Sequence, residues 1–331
     1  MKVIWMNDPR EITMTDALRE GLREEMLRDE KVFVMGEDVQ RWGGPFGVEK
    51  GLWKEFGEER VRDTPISEAA FVGAGVGAAT MGYRPIVDLH ITDFSLVAMD
   101  QICNQMGKIR YMFGGKAQIP LKILSGMGGG MATAGHHSSI LYSVFAHMAG
   151  IKCVVPSTPF DAKGLLKTTI RDNDPVMFFV HKMLLNFKGN VPNREYTIPF
   201  GEAEIKRQGK DITVVALSRM VHVALNVAEK LKDKCDIEVV DPRTIVPLDK
   251  KAIVESVKKT GKAIVIDEDY QRCGFASEVS AILADEAFDY LDAPIKRLAT
   301  PNVPIPFSPP LERYITPDEE KLTKTIEQML T

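Results

Sequence analysis

Short apolar runs rich in β-branched residues alternate along this chain with longer stretches whose apolar positions recur at helical period, and that alternation leaves few folds open. It predicts parallel sheets covered by helices, the α/β class. A first series of strands is expected at 32–35, 85–89, 119–124, 152–155 and 176–180, and a second at 212–217, 237–241 and 263–267, with helices at 221–232 and 250–259. Between the series lies NFKGNVPNREYTIP at 186–199, whose two prolines, one glycine and few core-forming residues read as a linker. A boundary near residue 195 follows, with a larger parallel-sheet domain over 1–195 and a smaller α/β domain over 196–331. The 331 residues suit two domains of about 100 to 200 residues each. Toward the end, 300–310 carries five prolines in eleven residues, too many for a regular helix or central strand. It is expected to run extended before a last helix at 317–330.

Charge and cysteine usage narrow the function. Lys plus Arg total 42 against 46 for Asp plus Glu, a net charge of -4, so no basic excess exists to meet a phosphate backbone and nucleic acid is not an expected partner. Hydrophobic residues at 44% and charged residues at 27% exclude a disordered or collagenous chain. Cys103, Cys153, Cys235 and Cys273 never form a CxxC, which predicts neither a disulfide framework nor a structural zinc site, and a reducing compartment. The first ten residues hold no apolar signal core, and no 18-residue apolar run occurs, so no membrane span and a cytoplasmic location are expected.

Gly73, Gly75 and Ala78 satisfy GxGxxA and raise the alternative of a nicotinamide-dependent oxidoreductase. That fingerprint needs a strand directly before the glycines and an acid about 20 residues on. Here PISEAA at 65–70 precedes them, a helix start with Ser67 placed to cap and Glu68 in the first turn. The small residues of 73–79 suit a helix packed closely on another backbone. This helix is too apolar for a solvated surface, so the Glu68 carboxylate needs a partner from elsewhere in the fold, another chain or a ligand. GMGGG at 126–130 lacks the Lys and Ser/Thr of a phosphate loop and reads as a flexible active-site or interface loop. His136 and His137 follow it without a third ligand at metal spacing, which favours proton handling or anion binding over zinc. His147, His181 and His222 are expected to be structural, whereas His90 follows a strand within reach of a sheet-end site.

Taken together, DTPISE at 63–68, GAGVGAA at 73–79, TDF at 92–94, YMFGG at 111–115, GHHS at 135–138, DAKGL at 161–165, DNDP at 172–175 and DPRT at 241–244 resemble one family in collinear order. It is the beta subunit of the thiamine-diphosphate-dependent, decarboxylating first component of 2-oxo acid dehydrogenase complexes. The resemblance runs from about Met14 to the C-terminus.

It implies a transketolase-like pyrimidine-binding domain followed by a transketolase C-terminal-like domain. The assembly is α2β2 with a beta–beta contact, it serves a lipoyl-bearing acyltransferase core, and its cofactor lies between chains. Family alpha chains hold magnesium and diphosphate through Gly-Asp-Gly, which is absent here, so this chain is expected to hold only the pyrimidine end. Glu68 falls on the family's catalytic glutamate, Phe94 on the aromatic beside the aminopyrimidine and His137 on the active-site histidine. A carboxylate bonded to a pyrimidine ring nitrogen favours the imino tautomer that deprotonates the thiazolium carbon to the ylide. An apolar setting that raises its pKa helps that proton to be shared. Phe94 would position the ring by stacking, and His137 would stabilise negative charge or steer the two-carbon unit towards a lipoyl group.

The resemblance further implies a potassium ion at Leu121, Thr169, Ile170, Asp172 and Asp174, through main-chain carbonyls and an acidic position; read without it, Asp172 and Asp174 cap and turn a loop. Segments 110–116, 181–184 and 196–203 are closest to the acetoin dehydrogenase branch, with cleavage of acetoin to acetaldehyde and an acetyl unit. A pyruvate or branched-chain 2-oxo acid dehydrogenase shares every catalytic position and stays open. His136, where Gln is commoner, and His90, where an apolar residue is usual, depart from the pattern and bear on substrate polarity. Asp285, Glu286, Asp289 and Asp292 are a candidate surface for a basic subunit-binding domain, or simply a solvated helix face.

Overall fold

VFVMG at Val32–Gly36, KILSGM at Lys122–Met127 and VMFFVH at Val176–His181 are buried at every position, which places each inside a sheet covered on both faces. The structure is a computed structural model that describes residues 9–330. Its strands are β1 (Pro9–Thr13), β2 (Val32–Gly36), β3 (Val61–Asp63), β4 (Arg84–Ile91), β5 (Lys122–Met127), β6 (Lys152–Val154), β7 (Val176–His181) and β8 (Lys188–Pro192), then β9 (Glu204–Arg207), β10 (Ile212–Ala216), β11 (Ile237–Asp241), β12 (Thr244–Val246), β13 (Ala263–Tyr270) and β14 (Lys296–Thr300). All eight expected strands are present. The one expected at 119–124 begins three residues late, because Pro120 lacks the N–H that a ladder needs.

The chain divides into two units, one reaching Gly126 and resuming over Phe145–Phe200, the other comprising Met127–Val144 and Gly201 onwards. The chain therefore crosses between units three times, which a single boundary does not anticipate. Within the first unit the sheet order is β6-β7-β5-β4-β2-β3. β2 runs parallel to β3 and β4, β4 to β5, and β6 to β7. The carboxyl ends of β2, β3, β4 and β5 therefore share one edge, where open α/β sheets place their ligands.

The helices Met14–Arg28 and Pro159–Arg171 are capped by Thr13 and Thr158, whose side chains accept from the N–H of Asp16 and Asp161. Between them Lys163 and Lys167 are buried, and Glu20, Glu24 and Glu195 satisfy their ammonium groups. The expected linker is not one. β8 pairs antiparallel with β1 across the register Pro9 to Pro192 through Thr13 to Lys188. Beyond it Ile198 is buried and Tyr196 stacks on Phe160, rings 4.6 Å apart. A Cβ on Gly164 would lie 2.6 Å from the Ile198 side chain, so the glycine is what lets this segment dock. Residues 186–199 thus belong to the first unit, anchored in its interior by Val191 and Ile198.

The second unit has the order β14-β13-β10-β11-β9, parallel except for β9, which is antiparallel to β11. The helices Arg219–Lys230, Lys250–Thr260, Phe275–Glu286 and Glu319–Leu330 accompany it, and its core unites Val214, Val239 and Ile264 of the strands with Val221, Val227 and Ile326 of the helices. The proline-rich tail is exposed from 301 to 304, as expected, and Pro309 then opens a short helix, Pro309–Ile315, from a position where a missing N–H costs nothing. Among the described residues the cysteines are free, no group of His, Cys, Asp or Glu is arranged for a metal ion, and no helix is long and apolar enough to cross a membrane.

Candidate active site

Glu68 is the first residue of the helix Glu68–Thr80, five residues past the end of β3. Ser67 stands at the N-cap position but makes no capping hydrogen bond, so the expected cap is not formed. Gly75 is where this helix meets the sheet, since a Cβ there would approach Leu121 and Val87 to 3.0 and 3.1 Å. GxGxxA therefore lies in mid-helix and serves packing, which removes the dinucleotide reading. Glu68 is only 8% exposed, yet its carboxylate makes no hydrogen bond or ion pair among the described residues. A carboxylate so placed can accept from, or share a proton with, a ring nitrogen brought to it.

Around Glu68 the sheet edge gathers further acids. Glu37 follows β2 directly; burial, and next the negative charge of Glu68, push its carboxyl up, with His90 opposing. Asp88 and Glu49 are buried, and a Cβ on Gly44, at φ +72, would lie 2.5 Å from Glu49 Oε2 and 3.3 Å from Asp88 Oδ2. Burial raises both carboxyls, most of all Glu49, which also feels the Asp88 charge. Neither Glu49 oxygen has a hydrogen-bond partner. Sequence reasoning passed over Glu37, Glu49 and Asp88.

His90 sits at a bulge where β4 slips its register against β5 between Asp88 and Ile91, with φ at +56. Its N–H donates to Asp88 Oδ1 at 2.8 Å, and its Nε2 lies 3.8 Å from Asp88 Oδ2 without a hydrogen bond of its own. The bulge carries the chain into the short 3₁₀ turn Thr92–Leu96 that presents Phe94. Thr92 Oγ1 reaches Ser125 Oγ at 3.0 Å and donates to the Gly126 carbonyl at 2.9 Å, and Ser95 Oγ donates to the Thr92 carbonyl. The half-buried Phe94 is thus presented on a turn tied to β5.

His137 belongs to the second unit, exposed on the loop Met127–Val144. That loop is not a free glycine tether. Gly129 N–H donates to Glu268 Oε1 at 2.9 Å, while Gly130 and Ala132 donate to the two oxygens of Glu312 at 2.8 and 3.2 Å. Carboxylates hold its amides, so they do not form a phosphate cradle. Thr133 Oγ1 bonds Ser138 Oγ at 2.8 Å and the His137 N–H reaches the Ala134 carbonyl at 3.3 Å, closing the turn that carries the histidine. Below it Tyr142 donates to Asp267, and burial pushes Asp267 up to about 6 and Asp269 up to about 7, the latter with the Asp267 charge beside it.

The positions expected to hold potassium do converge, but this chain's own groups engage them. Lys122 Nζ donates to the carbonyls of Asp172 and Asp174 at 2.9 and 2.7 Å, and the Arg84 guanidinium donates to those of Ile170 and Asp172 at 3.0 and 2.9 Å. The Leu121 carbonyl accepts from Val176 N–H and that of Thr169 from Asp172 N–H. Both carboxylates pair with Lys152 Nζ, at 2.6 and 3.0 Å. Burial pushes the Lys122 amine down to about 7, with Asp172 opposing. The donor set does not fit an added potassium ion.

Two family models match the chain: transketolase, pyrimidine binding domain, over residues 10–188, and transketolase, C-terminal domain, over 201–322. The chain is 47% identical to the acetoin:2,6-dichlorophenolindophenol oxidoreductase subunit beta of Bacillus subtilis, over 97% of this chain and 98% of that one. It is 45% identical to the 2-oxoisovalerate dehydrogenase subunit beta of the same organism, over 95% and 97% of the two chains. With that organism's pyruvate dehydrogenase E1 component subunit beta it shares 42% identity over 97% and 99%. A split-gene transketolase, described as an inactive beta4 tetramer, superposes with a TM-score of 0.78 over 96% of this chain and 98% of the other, and at 20% identity shares the fold.

Proposed function

Since the chain belongs to the family of beta subunits of the thiamine-diphosphate-dependent acetoin and 2-oxo acid dehydrogenases, we propose that it is the pyrimidine-binding half of such an enzyme, completed by an alpha subunit in an α2β2 assembly. The observation that carries this reading is Glu68, nearly buried, without a partner, on the ligand-binding edge of the parallel sheet. Thiamine diphosphate, when bound, supplies a thiazolium carbon that adds to a ketone or 2-oxo carbonyl and takes up the electrons of the bond that breaks.

Glu68 would hold the pyrimidine ring nitrogen and share its proton there. The neighbouring Glu37 carboxyl, raised by burial first and by the Glu68 charge second, resists ionising beside it, which favours a proton shared at this edge. Phe94, on its pinned turn, would offer a ring face against the heterocycle. His137, exposed on a loop that Glu268 and Glu312 hold, would donate to a developing negative charge or steer the two-carbon unit to a lipoyl group of an acyltransferase core. Magnesium and diphosphate would be held by the alpha subunit, because this chain has no Gly-Asp-Gly.

Acetoin is the proposed substrate, on the 47% identity to an acetoin oxidoreductase beta subunit, with pyruvate and branched 2-oxo acids as the competing class. The test is an assay of the chain alone and reconstituted with its alpha subunit, on acetoin, pyruvate and 2-oxoisovalerate, with an artificial electron acceptor. No turnover alone and turnover of acetoin after reconstitution are expected. Full activity of the chain alone would overturn the half-site, and preference for a 2-oxo acid would overturn the substrate.

A further inference from the structure

A lysine inside a parallel sheet needs a reason. Lys122 is the first residue of β5, is 1% exposed, and lies in a strand buried along its whole length. Burying an ammonium is unfavourable unless its donors are taken, and here they point at two main-chain carbonyls, those of Asp172 and Asp174, at 2.9 and 2.7 Å. Paired carbonyls from a tight loop, with carboxylates close behind, are the hard-oxygen surroundings of a small monovalent cation. The loop is built for positive charge from other sides too: Lys152 bridges its two carboxylates, Arg84 spans its carbonyls, and Arg110 reaches Asp174 at 2.6 Å.

We propose that Lys122 is a tethered cation, its ammonium standing at the loop carbonyls where an inorganic monovalent ion would otherwise be needed, so that this unit closes without potassium. A potassium ion in the same place would face Lys122, Arg84 and Lys152 at short range, all of its own sign. The tether also removes a concentration dependence. A free ion stabilises only with the logarithm of its concentration over its dissociation constant, whereas an amine on β5 is present in every molecule and carries its charge at pH values below the value of about 7 to which burial lowers it. Its anchorage joins the start of β5 to the loop between the helix Pro159–Arg171 and β7.

The proposal does not depend on the enzymatic reading, and its test reads stability rather than turnover. Thermal unfolding of the full chain, in the assembly in which it is purified, is followed at pH 6 in potassium chloride and in choline chloride of equal ionic strength. Wild type is expected to unfold at the same temperature in both, within about 1 °C. Lys122→Met, which removes the charge and keeps an apolar stem, is expected to lose on the order of 5 °C in choline chloride and to regain at least half of it in potassium chloride. Thallium(I), a potassium mimic observable by NMR, is expected to bind Lys122→Met saturably and wild type not at all. Saturable thallium binding by wild type overturns the proposal, as does a selective gain of wild-type stability in potassium. A Lys122→Met chain that is folded but indifferent to potassium, or that fails to fold in either salt, also overturns it.

Discussion

Each unit buries carboxylates at comparable depth near the carboxyl end of a parallel strand, and the two groups are treated in opposite ways. In the second unit Glu268 and Glu312, 7% and 3% exposed, accept the N–H groups of Gly129, Gly130 and Ala132, and Asp267 accepts from Tyr142 and from Ala276 N–H. In the first unit Glu68 and Glu49, 8% and 1% exposed, have no protein donor among the described residues. Burial is therefore not what separates them. A carboxylate that has captured its donors contributes to the fold, and one left without them keeps its binding capacity for something that arrives later, at a cost in stability. Asp269 is the intermediate case: one oxygen takes the Tyr270 N–H, and burial first and the Asp267 charge second push its carboxyl up to about 7.

The largest expected break between the two groups is in turnover. Glu68→Gln retains the shape, exchanges one acceptor oxygen for donors, and removes no internal hydrogen bond. The reconstituted enzyme should then lose about 10²- to 10⁴-fold in kcat while its unfolding midpoint moves little. A midpoint that falls by several degrees would show Glu68 to be structural after all. Glu312→Ala should do the reverse. It leaves the part-buried N–H groups of Gly130 and Ala132 without their protein acceptor, so a midpoint lower by on the order of 3 °C is expected in thermal unfolding. Any effect on turnover should then follow from displacement of the loop that bears His137 and not from loss of a chemical group.

How far this contrast can be read from sequence is uneven. Buried strands announce themselves through runs such as VFVMG, and DTPISE carries enough resemblance to single out Glu68. β8 does not: KGNVP is a strand only because β1 supplies its partner almost 180 residues away, and its two buried residues, the adjacent Val191 and Pro192, show no period. Glu37, Glu49 and Asp88 are ordinary acids along the chain. They become a cluster because parallel register brings the ends of β2 and β4 side by side and because Gly44 leaves no room between two of them. The donors on Glu312 come from 180 residues upstream, so the rigidity of GMGGG is invisible locally. Lys122 was legible in principle, since a lysine within PLKIL breaks an apolar run that otherwise reads as buried strand.

The smallest effect tests the cost directly. Glu49 has no donor, and burial first and the Asp88 charge second raise its carboxyl well above the usual carboxylate range. The folded protein therefore holds a proton that the unfolded chain releases above about pH 4.5. That stability is present in full below the unfolded value and is lost as pH rises through the folded one. Glu49→Gln imitates the protonated acid in shape and cannot ionise. It should match wild type near pH 5 and become the more stable protein at higher pH, by about 1 kcal/mol or more at pH 8, in denaturant unfolding measured across that range. The sign distinguishes the two regions, because the equivalent change at Glu312, where two N–H groups require an anion or its oxygens, should destabilise at every pH. A Glu49→Gln variant less stable than wild type at pH 8 would mean that this carboxylate has a partner in the assembled protein, and that the first unit's acids are as fully employed by the fold as those of the second.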